Sequence, residues 1–166
     1  MTSPHETLYQ RAQEQYVIGN HLLDVTYPLV HDPKLFLGIV NNIVNSLNAC
    51  VSAILSYEKY HNLIASYNLS AQNNLNEKLS LLQTRSPSRN KIPQKTLQLL
   101  RDLHAILELH KKSPIEFSRA GKMVICSKEF DLKTISLNQI EEYLYGTKEL
   151  LEITNKILTT PRTTIS

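Results

Sequence analysis

The sequence predicts a mainly α-helical protein: an up-and-down bundle of four or five helices, with a small β-hairpin or meander inserted before the last helix. The chain has 166 residues, 42% of them hydrophobic, which is enough to bury one core in one domain. It has only four glycines and no tryptophan, which suits packed helices better than a turn-rich β-sandwich. Apolar residues recur at helical spacing through most of the chain. We therefore expect a single domain over residues 1–160, with a β insertion at about 115–135 and a frayed tail at 161–166.

The first predicted helix begins at Ser3-Pro4 and ends at Tyr27-Pro28. Ser3 suits the N-cap, Pro4 suits the first helical position, and Glu6 in the first turn favours the positive end of the helix. Pro28 is expected to stop the helix because it has no backbone N–H. The buried stripe is expected to consist of Leu8, Ala12, Tyr16, Gly19, Leu22 and Leu23.

The second predicted helix begins at Asp32-Pro33, with Asp32 as its N-cap, and no charged residue occurs from Leu35 through Tyr57. A run of this length is long enough for a bilayer, which about 20 apolar residues can cross. The asparagines in its middle are costly in hydrocarbon, so a membrane span is disfavoured. We expect the helix to be buried on more than one side, by the core and by a second subunit or protein partner. The interface is expected to include Asn41, Asn45, Asn48 and Ser52.

The middle of the chain has weaker signals. Residues 67–84 predict a shorter helix that Ser70 caps, and the sequence leaves open whether it is separate from the second helix. Another helix is expected from about Pro93 to Pro114, after a loop at 85–90.

Near the end of the chain the spacing of apolar residues changes from helical to strand-like, and a last helix then follows. Three short runs are compatible with strands: Ile115–Ser118, Lys122–Cys126 and Asp131–Ile135. Ser136 and Gln139 then form the capping box of the last helix, since each side chain can satisfy a backbone donor of the other residue.

Cys50 and Cys126 are the only cysteines, and both stand among apolar residues without CxxC spacing. A disulfide scaffold uses more cysteines in a chain without a sizeable core, so we expect two buried thiols in a reducing compartment. The N-terminus lacks the basic and apolar regions of a secretory signal. We therefore expect a cytoplasmic protein.

Two pairs of residues are candidates for chemistry. Arg101 and His104 are one helical turn apart, and a histidine beside an arginine can act as acid or base on RNA while the arginine holds a phosphate. The alternative is that both are ordinary helix-surface residues. Glu58 and His61 match the Glu-x-x-His element of di-iron bundles, but such a site needs a second copy that the sequence lacks. We expect no metal there, and we expect Glu58 and His61 to mark where the second helix emerges into solvent.

The basic residues form the most distinctive remaining feature. From Arg85 to Lys122 the chain has nine Lys/Arg and three acids, a local charge of +6. Such clusters can bind nucleic acid or other anions through charge alone, although they are also common on solvated surfaces. Phosphate-cradling glycine loops, nucleophile elbows and zinc-ligand pairs are absent, so no cofactor is expected. The candidate anion-binding residues are Arg85, Arg89, Lys91, Lys95, Lys111, Lys112, Arg119 and Lys122.

The segment LLDVTYPLVHDPKLFLG (22–38), together with HKKSPIEFSR (110–119) and VICS (124–127), resembles a group of small uncharacterised archaeal proteins. In architecture alone the predicted bundle is similar to the HEPN superfamily, which includes metal-independent ribonucleases and partners of nucleotidyltransferases. The HEPN ribonuclease motif has an arginine four to six residues ahead of a histidine. Only two residues separate Arg101 from His104, so the chain departs from that motif.

The sequence therefore favours a non-catalytic helical-bundle interaction module, homodimeric through the second helix. The alternative is an RNA-binding protein or HEPN-like ribonuclease that uses the basic region around the helix from Pro93. Enzymatic activity is left open, with no activity as the preferred interpretation.

Overall fold

The computed structural model describes residues 1–65 and 74–161. Over these residues it confirms the predicted fold class, a mainly helical bundle with a small antiparallel sheet before the last helix. The elements are α1 (Pro4–His21), a π-helical segment (Leu22–Thr26), α2 (Tyr27–Val30), α3 (Leu35–Tyr60), α4 (Leu75–Thr84), a 3-10 turn (Arg89–Lys91), α5 (Gln94–Lys112), β1 (Ile115–Arg119), β2 (Lys122–Cys126), β3 (Leu132–Ile135) and α6 (Leu137–Thr159).

The prediction that the first helix ends at Tyr27-Pro28 is wrong. After α1 the backbone widens into the π-helical segment, in which the N–H of Tyr27 donates to the carbonyl of Leu22, five residues back. Pro28 then falls in the first turn of α2, where a missing N–H is tolerated. The helical path ends instead at Val30, and His31 reverses the chain in a left-handed conformation with φ 51°.

The long central helix, α3, begins at Leu35 rather than at Pro33. Asp32 still caps the turn before it, because its Oδ1 accepts the N–H of Lys34 at 2.9 Å. Its carbonyl accepts the N–H of Leu35 at 3.1 Å. Asp32 therefore acts near the start of the helix as predicted, but a turn from Asp32 to Leu35 precedes the first helical residue.

The predicted burial of α3 on more than one side is confirmed, since α1, α4, α5 and α6 all pack against it. By length and composition alone α3 is also long and apolar enough to cross a membrane. Burial in the bundle removes its apolar side chains from water, as a bilayer would.

The path formed by α1 and α2 packs antiparallel to α3. Near the middle of both helices Ser46 Oγ donates to the carbonyl of Ala12 at 2.7 Å. At one end Tyr27 stacks on Phe36 with ring centroids 5.0 Å apart. At the other end the edge of His5 meets Tyr57 at 5.2 Å. The path formed by α1 and α2 is therefore in contact with α3 at both ends and in the middle.

A separate short helix follows α3, because residues 61–65 are not helical and Asn62 has φ 55°. Its cap is Asn74, whose side chain accepts the N–H of Asn76 at 3.0 Å. The expected cap, Ser70, lies outside the described residues.

The sheet has the order β1-β2-β3, with both pairs antiparallel. Three of its side chains, Met123, Ile125 and Ile135, belong to the hydrophobic core. The capping box before α6 is confirmed: Gln139 N–H donates to Ser136 Oγ at 3.3 Å, and Ser136 N–H donates to Gln139 Oε1 at 2.9 Å. The sheet thus follows α5 and precedes α6 in the chain, and three side chains of one face pack on the bundle core.

Candidate functional site

Arg101 and His104 lie one turn apart on α5, and both are partly buried. The Arg101 guanidinium donates to Gln83 Oε1 of α4 at 2.8 Å, which fixes it against the neighbouring helix. The clefts on α5 that are described below lie along a different side of the helix and are not lined by either residue. The arrangement therefore gives Arg101 a structural partner.

The expectation that Glu58 marks the emergence of α3 into solvent is wrong. The Glu58 side chain is fully buried, and its Oε1 accepts Ser86 Oγ–H at 2.7 Å and the Ser88 N–H at 3.2 Å. Glu58 thereby ties the loop between α4 and α5 to the central helix. His61, one turn later, is exposed. Among the described residues, no group of three His, Cys, Asp or Glu is placed to hold a metal ion.

The candidate basic residues do not form one surface. Arg85, Arg89, Lys91 and Lys95 lie before or at the start of α5, whereas the other four lie at its end or on the sheet. The 19 residues of α5 hold the two groups about 28 Å apart at 1.5 Å per residue. Lys95 is also paired with Glu149 at 3.3 Å, and Lys111 with Glu108 at 3.0 Å.

The residues proposed for an interface on α3 are mostly engaged within the chain. Lys78 of α4 donates through Nζ to Ser52 Oγ at 3.0 Å and to Asn48 Oδ1 at 3.4 Å. Asn45 donates to Gln15 of α1 at 3.4 Å, whereas Asn41 is exposed. Burial lowers the pKa of Lys78 below its usual value, which is consistent with α4 covering this part of α3. A dimer through α3 stays a prediction, with Asn41 as its accessible residue.

Two clefts lie between α5 and α6. One has a volume of about 370 Å³ and the other about 300 Å³, and Leu99 and Tyr143 line both. Burial raises the pKa of Tyr143, so its phenol stays neutral at physiological pH. At the far end of the first cleft the ion pair of Lys95 and Glu149 joins the two helices. The first cleft is also lined by Tyr145 and Glu142, and the second by Asp102 and Lys133.

The sheet carries a more unusual feature, because apolar side chains occur on both of its faces. Residues directly opposite each other in a ladder point to the same side, so the register divides the side chains into two sets. On the inner face Met123, Ile125 and Ile135 pack on the core, whereas its other residues, Glu116, Ser118 and Lys133, are polar. The outer face consists of Ile115, Phe117, Arg119, Lys122, Val124, Cys126, Leu132 and Thr134.

An antiparallel sheet that packs one face on a core ordinarily presents a polar second face to water. Here Ile115, Phe117 and Leu132 on the outer face are 53%, 37% and 64% exposed. Val124 and Cys126 lie between them, buried but outside the hydrophobic core. Such a contiguous apolar surface, with polar residues at its rim, is typical of a docking site.

The charges on the outer face are all positive. Arg119 and Lys122 are directly opposite each other at the tip of the hairpin, and both are exposed. Among the described residues neither forms an ion pair. No acid belongs to the outer face, since Glu116 points to the inner side and contacts His110 of α5. The outer face is therefore mainly apolar around Ile115 and Phe117 and cationic at the hairpin tip, where Arg119 and Lys122 lie.

The turn between β2 and β3 exposes one further aromatic ring. Phe130 is 80% exposed and has φ 65°, a backbone conformation that disfavours bulky residues by about 1–3 kcal/mol. Ser127 holds the turn, because its Oγ accepts the N–H groups of Glu129 at 3.2 Å and of Asp131 at 3.0 Å. A large side chain is thus held in solvent next to the outer face.

The sequence interpretation missed this surface although it located the strands. The signal was in β2, where Met123 to Cys126 are apolar without the alternation expected of a strand with one solvated face. Ile115 and Phe117 in β1 belong to the same signal. No protein-family model, curated protein or solved structure matches this chain. The resemblances to archaeal proteins and to HEPN bundles therefore stay predictions.

Proposed function

We propose that this protein is a non-catalytic interaction module that docks another protein on the outer face of its sheet. The observation that carries the proposal is the second apolar face of a sheet whose first face already completes the core. Exposed side chains on it, such as Leu132, gain about 25 cal/mol for each Å² of apolar surface that a partner covers. A bundle that supports a small projecting sheet is a suitable scaffold, because the docking residues are fixed by the ladder rather than by a loop.

The test compares two variants of matched polarity. Phe117→Ser removes the central ring of the outer face, whereas Leu29→Ser removes an equally apolar side chain that is 78% exposed on α2. Each tagged protein is incubated with lysate of its own host, and the retained proteins are quantified by mass spectrometry. We expect a partner that wild type and Leu29→Ser retain and that Phe117→Ser loses. The proposal is wrong if every retained protein is indifferent to Phe117→Ser while the variant keeps its melting temperature.

RNA binding is a second candidate function, and one specific observation favours it. Arg119 and Lys122 share the outer face with Phe117, and Lys111 and Lys112 end the helix that leads into β1. Bases stack on exposed aromatic rings while cations hold the phosphates. RNA recovered with the protein, lost in Arg119→Ala and in 0.5 M salt, would support this candidate. A catalytic role for Arg101 and His104 is not part of either proposal.

A further inference from the structure

We propose that the docked segment is an extended strand of another protein, added antiparallel to the free edge of β1, with an acidic residue beside Arg119 and apolar residues beside Phe117 and Ile115. This inference rests on the proposed function and specifies its partner. It starts from β1 being an edge strand: in the described residues β1 pairs with β2 alone, and four of its five residues are exposed.

The hairpin determines which backbone groups of β1 are open. Ala120 and Gly121 form a two-residue turn with φ 51° and 72°, as in hairpins whose flanking pair is hydrogen-bonded. Hydrogen-bonded pairs alternate along an antiparallel ladder, so Arg119, Phe117 and Ile115 direct their backbone groups to β2. Glu116 and Ser118 therefore direct their N–H and C=O groups to the open edge. Two adjacent sets of donors and acceptors on one edge can bind an extended strand.

The side chains of β1 define the composition of that strand. Its residues beside Ile115 and Phe117 extend the apolar outer face, so apolar side chains there cover surface that is now solvated. An acid beside Arg119 pairs with a cation that has no ion-pair partner in the described residues. Lys122, one strand further on and about 10 Å from the added strand, adds to the positive potential there. The antiparallel direction continues that of the existing sheet. It gives the order acid-x-apolar-x-apolar along the partner.

Charge argues against a second copy of this chain as the occupant. If β1 paired antiparallel with β1 of another copy, Arg119 would lie beside Ile115 and each pair of cations would still lack an acid. RNA is disfavoured by the aliphatic character of the face. Phe117 is its single aromatic ring, so the face offers no second ring on which a successive base could stack.

Binding is measured by NMR titration of the ¹⁵N-labelled full chain with the synthetic blocked heptapeptide TETVTVT. The matched control peptide is TKTVTVT, and octauridylate is the nucleic-acid probe. We expect saturable shifts in the amides of β1 and slowed exchange of the Glu116 and Ser118 N–H groups. The lysine peptide is expected to bind at least about tenfold more weakly, because it places a third cation beside Arg119 and Lys122.

A pair of variants at Ser118 tests strand pairing itself. Ser118→Pro removes an N–H that points to the open edge, whereas Ser118→Ala keeps it, and neither takes a bond from the ladder with β2. We expect about a tenfold loss of affinity for Ser118→Pro and none for Ser118→Ala. Arg119→Glu serves as a second test where Ser118→Pro does not fold, since it should reverse the preference between the two peptides.

Each contrary result has a distinct meaning. Equal peptide affinity of Ser118→Pro and Ser118→Ala, shifts confined to other elements, or a preference unchanged by Arg119→Glu would overturn strand addition. Binding of octauridylate in place of the peptide would overturn it in favour of RNA. If Phe117→Ser still abolishes retention of the cellular partner in these cases, the docking face stands and the strand model alone fails.

Discussion

Truncation of Glu58 gives a direct measure of what holds the loop between α4 and α5 to the core. Glu58→Ala removes the acceptor of two bonds, from Ser86 Oγ at 2.7 Å and from the Ser88 N–H at 3.2 Å. An intramolecular hydrogen bond contributes about 0.5–1.5 kcal/mol, and a donor left buried without a partner costs about 1–3 kcal/mol. The second carboxyl oxygen of Glu58, Oε2, is buried without a hydrogen bond, so its removal offsets part of the loss. The Ser88 N–H also donates to Ser86 Oγ at 3.0 Å and so keeps one partner in the variant. The loss is therefore smaller than the sum for two donors left without partners. We expect the free energy of unfolding to fall by about 1.5–3 kcal/mol.

The assay is urea denaturation followed by far-UV circular dichroism, with the change in midpoint converted through a common m-value. Glu58→Gln retains an oxygen that can accept both bonds, so it is expected to lose less than about 1.5 kcal/mol. Glu14→Ala, at an exposed position of α1, is the control and should stay within about 0.5 kcal/mol of wild type. The reasoning is refuted if Glu58→Ala is no more destabilising than Glu14→Ala. Equal losses for Ala and Gln would mean that the two bonds to Oε1 are not what holds the loop.

Three further predictions concern pH, thiol reactivity and helix propensity. Burial lowers the pKa of His5 below its usual 6.5. The unfolded chain therefore binds the proton more readily, and stability falls as the pH drops below about 6.5. Between pH 7.5 and 5.5 the melting temperature should decline less in His5→Phe than in the wild type, and parallel declines would contradict this. Burial raises the pKa of the Cys50 thiol to about 12. In Cys126→Ser this remaining thiol should therefore react with Ellman's reagent at pH 8 only after addition of guanidinium. Rapid reaction of the folded variant would show that the thiol is accessible. Gly38→Ala, with nothing within 4 Å of the added Cβ, should raise the free energy of unfolding by about 0.5–1 kcal/mol in the same urea assay, and a loss would mean an unseen contact.

Local signals were sufficient for most elements of the fold. The N-cap at Ser3 and the capping box at Ser136 need only residues up to three apart in sequence, and both occur in the structure. The β insertion was recognisable because its period differs from that of the helices around it. The end of the first helix was missed because a π-helical turn depends on backbone spacing that no residue type specifies, and Pro28 is tolerated only after that turn.

The candidate site could be predicted only in part. Arg119 and Lys122 were identified from charge, and the strands from period, but their combination on one face required the register. Glu58 was misread for a similar reason: its position at the end of an apolar helix suggested solvent, whereas Ser86 and Ser88 return from 28 and 30 residues away to cover it.

The sequence by itself therefore determined the class of the protein, the main order of its helices and strands, and the absence of charge from Leu35 through Tyr57. These properties depend on neighbours within a few residues, where propensity, capping and periodicity act. Only the tertiary structure decided what each face touches. It showed that α4 covers Asn48 and Ser52, and that Glu58 is buried. It also showed that Ile115, Phe117 and Leu132 on the outer face of the sheet stay exposed. Burial depends on which distant elements pack together, and a sequence pattern does not identify the partner of an apolar surface.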